Sequence, residues 1–423
     1  MALVSFVADD LTGASDVLAQ AHRYGLDAVL AIGDGAEPLP EHADVVGIAG
    51  PARALGGAEF DALVRAQLAR IATAEVLLYK VCSTFDSSPE RGSIGRAVEL
   101  LHERFPGHGP IAVVPAQPDF GRYTAFSEHF ATYDGQVFRL DRHPVMSAHP
   151  ATPMAEADLR RVLARQLAGG EAPGALQLPA HESFPDEWAR HRAARSPAFV
   201  VDATDNRHLD AVARALRAER GQSLVIGSGG IMAALARTAT GRPARLPGPQ
   251  RASGPVLVVS ASASSTTAAQ IDHGVRHGWA EIPLPAELLG HDDPELVATV
   301  EKTVAAELKA GRHVVVHSTR GTTDPRYTRN PVDSAHVGGL LGGLAARIAT
   351  AGLTRDIAVC GGDTSGHALV AMGVRQLRVS GQFVTAGPVC RSDDAAPVAG
   401  CRLLLKGGQV GPVDVLARFA GQS

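Results

Sequence analysis

Two adjacent carboxylates, Asp9 and Asp10, follow directly on the first apolar run of the chain, LVSFVA, and lead into Leu11-Thr12-Gly13-Ala14. Ala14, Val17, Leu18 and Ala21 fall on one stripe at helical spacing, and Gly25 is placed to end it, so the acids stand in a strand-to-helix turn. One of them, or Thr12, suffices to cap the helix. A second acid exceeds that need and can face a ligand hydroxyl or a metal-bound phosphate. The pattern is not the DxDx[TV] of aspartyl phosphatases, because Ala8 stands where the first acid would be.

A second polar cluster closes the run EVLLYK: Lys80, Ser83, Thr84 and Asp86. The chain has only four lysines among 40 basic residues, so a compact ammonium kept at a strand end hints at chemistry there. The bland alternative is a lysine snorkelling from a strand terminus. The cluster can hold a carboxylate and hydroxyls. In QPDFGR, again after a strand, Arg122 offers an anion clamp.

Three more strand exits lie in the C-terminal half: SASASSTT with Ser260 and Ser262, CGGDTSGH with Gly361, Gly362, Asp363, Thr364 and Ser365, and LKGGQVG with Lys406 and Gly408. Each alone is compatible with an ordinary tight turn. Three in one half suit a nucleotide phosphate cradle, because glycines admit backbone amides to an anion and hydroxyls cluster at helix N-termini. No GxxxxGK[ST] occurs, which excludes a P-loop. Gly227-Ser228-Gly229-Gly230 lacks GxGxxG spacing and no acid follows at about twenty residues, which argues against a nicotinamide enzyme. His143 and His149, six apart and each followed by proline, match no metal-ligand geometry, and a histidine touching substrate is the better reading. Asp202 and Asp205 read as strand-end and helix-cap residues. No metal ligands are expected from the protein.

The elements that must position these residues are short β-branched runs alternating with longer Ala/Leu/Arg segments of helical period. That rhythm predicts an α/β fold of mainly parallel sheets covered by helices on both faces. It breaks near TGRPARLPGPQRASG and then resumes, so the 423 residues divide into an α/β domain over 1–240, a linker over 241–254 and a second α/β domain over 255–423, with the active site expected in the interdomain cleft. Residues 138–158 form a long Pro-rich connection.

Hydrophobic residues at 45%, charged residues at 20% and a net charge of -4 describe a soluble globular chain with no nucleic acid partner. The four cysteines form no CxxC pair, so neither zinc nor disulfides are signalled and a reducing cytoplasm is expected. The opening residues lack a basic leader and no run approaches the ~20 apolar residues of a membrane span, so no membrane partner is expected either. A homodimer is the base-rate expectation.

Taken together, these blocks resemble the four-carbon acid sugar kinase family over nearly the whole chain. The family's ADDxTGAxD block matches Ala8 to Asp16, a block ending in arginine matches Arg53 of GIAGPAR, K-x-x-ST matches Lys80, Ser83 and Thr84, and P-A-x-P-x-x-GR matches Pro115 to Arg122. The turns at Ser260, Gly361 to Gly366 and Lys406 to Gly411 match its ATP-binding segments in order. The resemblance implies an ATP- and Mg2+-dependent kinase of threonate, erythronate or 3-oxo-tetronate. In that reading Asp10 orients or deprotonates the accepting hydroxyl, with Asp9 as second choice, and Thr12, Ser83, Thr84 and Asp86 line the acid's site. Arg53, Lys80 and Arg122 hold its carboxylate or the transferring phosphoryl group. Ser260, Ser262, Gly361, Gly362, Thr364, Ser365, Lys406 and Gly408 cradle ATP, and Asp363 orients magnesium through water. Many members carry an acid before ST and an arginine two residues after it, where this chain has Cys82 and Asp86. Two other classes share these features: a catalytically silent sensor of sugar acid and nucleotide, and a phosphatase or phosphate-ester lyase.

Overall fold

The computed structural model describes all residues except 34–38, 40–41, 149–151, 171, 242, 245–249, 327–332, 385–386 and 423, and the side chains of Asp363 and Thr364. The chain forms two compact units, residues 1–28 with 38–244 and residues 29–37 with 245–423.

The apolar runs of the first unit form parallel strands in the order Val45–Ala49, Ala2–Ala8, Ala74–Lys80, Ser223–Gly227, Ile111–Val114, Ala198–Val201 and Gly174–Leu176. Val45–Ala49, Ser223–Gly227, Ile111–Val114 and Ala198–Val201 are buried at every position, because helices cover both faces. The register places Ala8 opposite both Ala49 and Lys80, and Gly227 opposite both Lys80 and Val114. All the exits therefore open at one level of the carboxyl edge. The chain passes from Ala2–Ala8 to Val45–Ala49 on one side, then crosses to Ala74–Lys80 on the other, which makes Asp9 and Asp10 the residues at the switch of direction. Open parallel sheets bind ligands at such a point.

A small antiparallel sheet, Arg122–Ala125, Glu128–Tyr133 and Gln136–Arg139, departs from the parallel expectation. Its tip residues Phe126 and Ser127 have φ of 53° and 68°, and their N–H groups donate to Asp202 at 2.5 and 2.9 Å. Asp202 is fully buried and serves structure. Asp205 caps the helix Asn206–Ala218, as its sequence position suggests.

In the second unit, Ala280–Pro283, Val314–His317, Val256–Ser260, Asp356–Cys360 and Arg402–Lys406 run parallel in that order. Gly387–Ser392 and Gln376–Val384 extend the sheet antiparallel. Residues 29–32 join it against Gln376–Val384, pairing Leu30 with Leu377, although they lie within the range assigned to the N-terminal domain. Their run is apolar throughout, and nothing in such a run specifies which sheet will bury it. Ser260 lies opposite both His317 and Cys360, and Cys360 opposite Lys406, so these exits are also level.

Candidate active site

Asp10 caps the helix Leu11–Arg23. Its Oδ1 accepts the Gly13 N–H at 2.8 Å and its Oδ2 lies 2.8 Å from Arg53 Nη2. Both oxygens are engaged. Asp9 is 3% exposed, and its Oδ1 is buried without a hydrogen-bond partner. Its backbone is fixed on both sides: its N–H donates to the Lys80 carbonyl at 3.1 Å and its carbonyl accepts the Arg53 N–H at 2.9 Å. Burial, followed by the Asp10 charge, pushes the Asp9 carboxyl up to about 7 against the pull of Arg53 and Lys80. Asp9 is thus poised between its two protonation states at neutral pH. A Cβ on Gly13 would lie 2.5 Å from Asp10 Oδ1 and 2.8 Å from Lys80 Nζ, so the helix can start this close only with glycine there. Thr12, half-buried, sits in the same first turn.

Lys80 does not snorkel: it is 2% exposed and its Nζ donates to the Val81 carbonyl at 2.7 Å. Beyond it the chain turns, with the Phe85 N–H on the Cys82 carbonyl at 3.0 Å and Phe85 itself buried at φ 57°, where a bulky residue is strained. Cys82 Sγ lies 3.0 Å from Thr84 Oγ1, whose hydroxyl donates to Asp86 at 2.7 Å. Burial and then the Asp86 charge push the Cys82 thiol up to about 11, so it is no nucleophile at neutral pH. The Ser83 carbonyl accepts from His129 Nε2 at 2.8 Å, and His129 Nδ1 accepts the Thr124 hydroxyl at 2.9 Å. Burial lowers this imidazole to about 4, so a neutral ring pins the turn to the antiparallel sheet. Arg122 Nη1 reaches the Phe120 carbonyl at 2.7 Å, its Nε is buried without a partner, and among the described residues no carboxylate pairs with it.

In the second unit the serine-rich exit folds stepwise. Ser260, Ser262 and Ser264 hydroxyls accept the N–H groups of Ser262, Ser264 and Thr266 at 3.4, 3.3 and 3.2 Å, and Ser264 caps the helix Ser265–Arg276. Ser260 is fully buried behind this turn. A Cβ on Gly408 would lie 2.5 Å from Ser262 Oγ, so the two turns pack at glycine distance. Lys406, 2% exposed, donates to Thr267 Oγ1 at 3.0 Å, and the Thr267 hydroxyl donates to the Gly408 carbonyl at 2.7 Å. Burial pulls the Lys406 ammonium below the usual lysine range. The third turn is tied in by the Gly361 N–H on the Lys406 carbonyl at 3.1 Å and by Ser365 Oγ on the Gly361 carbonyl at 2.8 Å. A buried cation ringed by serine and glycine turns fits a polyphosphate. Gly362 caps the helix Asp363–Ala371; the side chains of Asp363 and Thr364 lie outside the described part. Among the described residues no three His, Cys, Asp or Glu side chains gather as a metal site.

Several residues at these edges escaped sequence reasoning. Asp16 accepts from Gln20 at 3.0 Å and from Gln117 at 2.9 Å, joining the first helix to the segment that leads into the strand of Arg122. His129 and Thr267 act through contacts far away in sequence. The exit HSTRG follows an apolar run as the others do, and its Ser318 N–H donates to the Ser260 carbonyl at 3.0 Å; the run of hydroxyls and glycine was its signal. His149 lies outside the described residues.

Residues 4–235 match a sugar-binding N-terminal domain and residues 257–416 a nucleotide-binding C-terminal domain. A 3-oxo-isoapionate kinase of Paraburkholderia graminis is 36% identical over 97% of this chain and 92% of its own length. A D-threonate kinase of Bordetella bronchiseptica is 30% identical over 99% and 96%, and a 3-oxo-tetronate kinase of Cupriavidus necator 31% over 97% and 95%. A solved structure from Salmonella typhimurium LT2 shares the fold with a TM-score of 0.82 at 23% identity, covering 99% of this chain and 98% of that one. No helix among the described residues is long and apolar enough to cross a membrane. Matched by both domain models and by relatives from end to end, the chain belongs to the four-carbon acid sugar kinase family.

Proposed function

We propose that the first unit binds a small sugar acid, the second binds ATP, and the enzyme transfers the γ-phosphate to a hydroxyl of the acid. The observation that carries the reading is Asp9, a buried carboxylate with an unpartnered oxygen and a pKa of about 7, set beside Arg53 and Lys80. Asp9, rather than the cap Asp10, takes the hydroxyl proton, because Asp10 is already bound on both oxygens. Arg53 and Lys80 neutralise charge on the transferring group, while the Cys82–Asp86 turn and Thr12 contact the acid's hydroxyls.

Bound Mg-ATP supplies the phosphoryl group with its charge partly neutralised, so the protein's part is mainly positioning. Lys406, the amides of the Ser262 and Gly361–Gly362 turns, Ser365 and Gly408 hold the polyphosphate. Asp363 and Thr364 are assigned to magnesium and phosphate by their place at the helix start. The boundary between the two functional domains is placed within 241–254.

The relatives' names support a substrate bearing a carboxylate and several hydroxyls, with 3-oxo-isoapionate the first acid to try. ADP release is to be measured with 3-oxo-isoapionate, 3-oxo-tetronate, and both enantiomers of threonate and erythronate. ADP formation that requires one of these acids supports the proposal. Saturable binding of acid and nucleotide without ADP would instead indicate a sensor, and ATP-independent phosphate release from a phosphorylated acid a phosphatase.

A further inference from the structure

Gly227-Ser228-Gly229-Gly230 fits no dinucleotide pattern, and the structure shows what its glycines make room for. Ser228, fully buried, caps the helix Gly229–Thr240 and donates to the Ala116 carbonyl at 3.2 Å. A Cβ on Gly229 would collide with Asp16 Oδ2, and one on Gly230 with the Ala116 carbonyl. The turn therefore admits a side chain and a loop from two other strand exits of the same unit. The side chain is a buried carboxylate to which the chemistry described above gives no task.

Asp16 lies in the second turn of the helix Leu11–Arg23 and is 7% exposed. Its Oδ1 accepts from Gln20, and its Oδ2 accepts from Gln117 Nε2 at 2.9 Å, beside the start of the helix Gly229–Thr240, where negative charge is favoured. Gln117, 3% exposed, closes the loop that precedes Arg122: its N–H donates to the Arg122 carbonyl at 2.9 Å, and its own carbonyl accepts the Arg122 N–H at 3.1 Å. The Arg122 guanidinium folds back over the same loop, Nη1 donating to the Phe120 carbonyl at 2.7 Å. Asp119, within that loop, is held by Arg23 from the far end of the first helix, an exposed pair worth little alone. The helix that Asp10 caps thus grips the Arg122 loop at two points, and the buried one is Asp16 on Gln117.

We propose that Asp16 is a positioning residue for acid binding: through Gln117 it fixes residues 117–122, and so the direction of Arg122, relative to the turn of Asp9 and Asp10. Asp16 itself does not touch the acid. This rests on the reading of the first unit as the acid-binding one. The glycines at 229 and 230 belong to the same device, because a side chain at either would push the carboxylate or the loop away.

The test exchanges the polarity of the contact in the full chain. Gln117→Glu sets a carboxylate against that of Asp16, and adding Asp16→Asn returns one donor and one acceptor to the pair at the total charge of wild type. The dissociation constant of whichever acid in the panel wild type binds tightest is measured by calorimetry without nucleotide at about pH 8, together with Tm and the dissociation constant for ATP. The proposal expects the acid to bind about tenfold or more weakly to Gln117→Glu, to return to within about threefold of wild type in the double variant, and ATP to stay within about twofold throughout. Gln117→Met, which removes the donor and adds no charge, should show the same loss in smaller measure and decides the case if Gln117→Glu does not fold. Wild-type acid affinity in a folded Gln117→Glu overturns the proposal, as does equal weakening of ATP, or a double variant that regains Tm without regaining the acid. A wild type that binds none of the acids overturns the reading of the unit and the role of Asp16 with it. Because binding is read without turnover, an enzyme that binds acid yet forms no ADP would sink the kinase reading while still deciding the role of Asp16.

Discussion

Asp9 and Asp10 are chemically identical neighbours that the fold places in different surroundings, Asp10 bound on both oxygens and Asp9, the proposed base, with a buried oxygen left unpartnered. Asp10→Asn keeps a side chain able to cap the helix and loses only the pair with Arg53, so the enzyme should stay folded and keep measurable kcat. Asp9→Asn should lower kcat by 100-fold or more while the dissociation constant for ATP stays within about twofold. Since the base acts ionised and its pKa is about 7, kcat/KM for the acid should rise with pH through that value and level off above it. The same shift bears on stability. The folded chain holds the Asp9 proton more tightly than the unfolded chain from about pH 4 to 7, so this contribution is present at low pH and lost as pH rises through 7. Melting curves of Asp9→Asn should therefore exceed wild type by a few degrees at pH 8.5 and converge with it as the pH falls. Both acids were legible in the sequence as candidates. Their ranking was not, because it depends on burial and on a partner, Arg53, forty-odd residues away.

At the scale of elements, the site exists because parallel strands end in register. Ala8, Lys80, Gly227 and Val114 are level, and the segments that follow Ala8, Lys80 and Val114 carry the candidate site residues. The alternation of apolar runs and helical segments made those strands legible. The antiparallel sheet of Arg122 to Arg139 was not, since its strands are short, only partly buried and read as connection. Yet this sheet supplies Arg122 and His129. His129→Leu removes the donor to the Ser83 carbonyl and leaves the buried Thr124 hydroxyl without its partner, a cost of about 1–3 kcal/mol. It should lower Tm and raise the KM for the acid while the KM for ATP holds. In the other unit, Gly408→Ala forces a methyl toward Ser262 Oγ at 2.5 Å, and overpacking of about 1–3 kcal/mol predicts an ATP KM raised by about tenfold or more. Calorimetry with the acid should show that this variant binds it as wild type does.

Across the whole molecule there are two compact units, to each of which the proposed function gives one ligand, and the residues 29–32 that pair within the second unit come from the sequence range of the first. That crossing of the chain could not be read from DAVLAI, whose burial on both faces suits either sheet equally. The separation of labour predicts that Asp9→Asn and Gly408→Ala lose different ligands, the first keeping ATP and the second keeping the acid. Transfer itself needs both. The most direct test of that claim is a 31P NMR spectrum of the wild-type enzyme incubated with ATP, Mg2+ and the acid that supports ADP release. The account predicts a new phosphomonoester resonance growing one for one with ADP, and none with Asp9→Asn. ADP accompanied only by inorganic phosphate, or a phosphomonoester formed at the wild-type rate by Asp9→Asn, would contradict it.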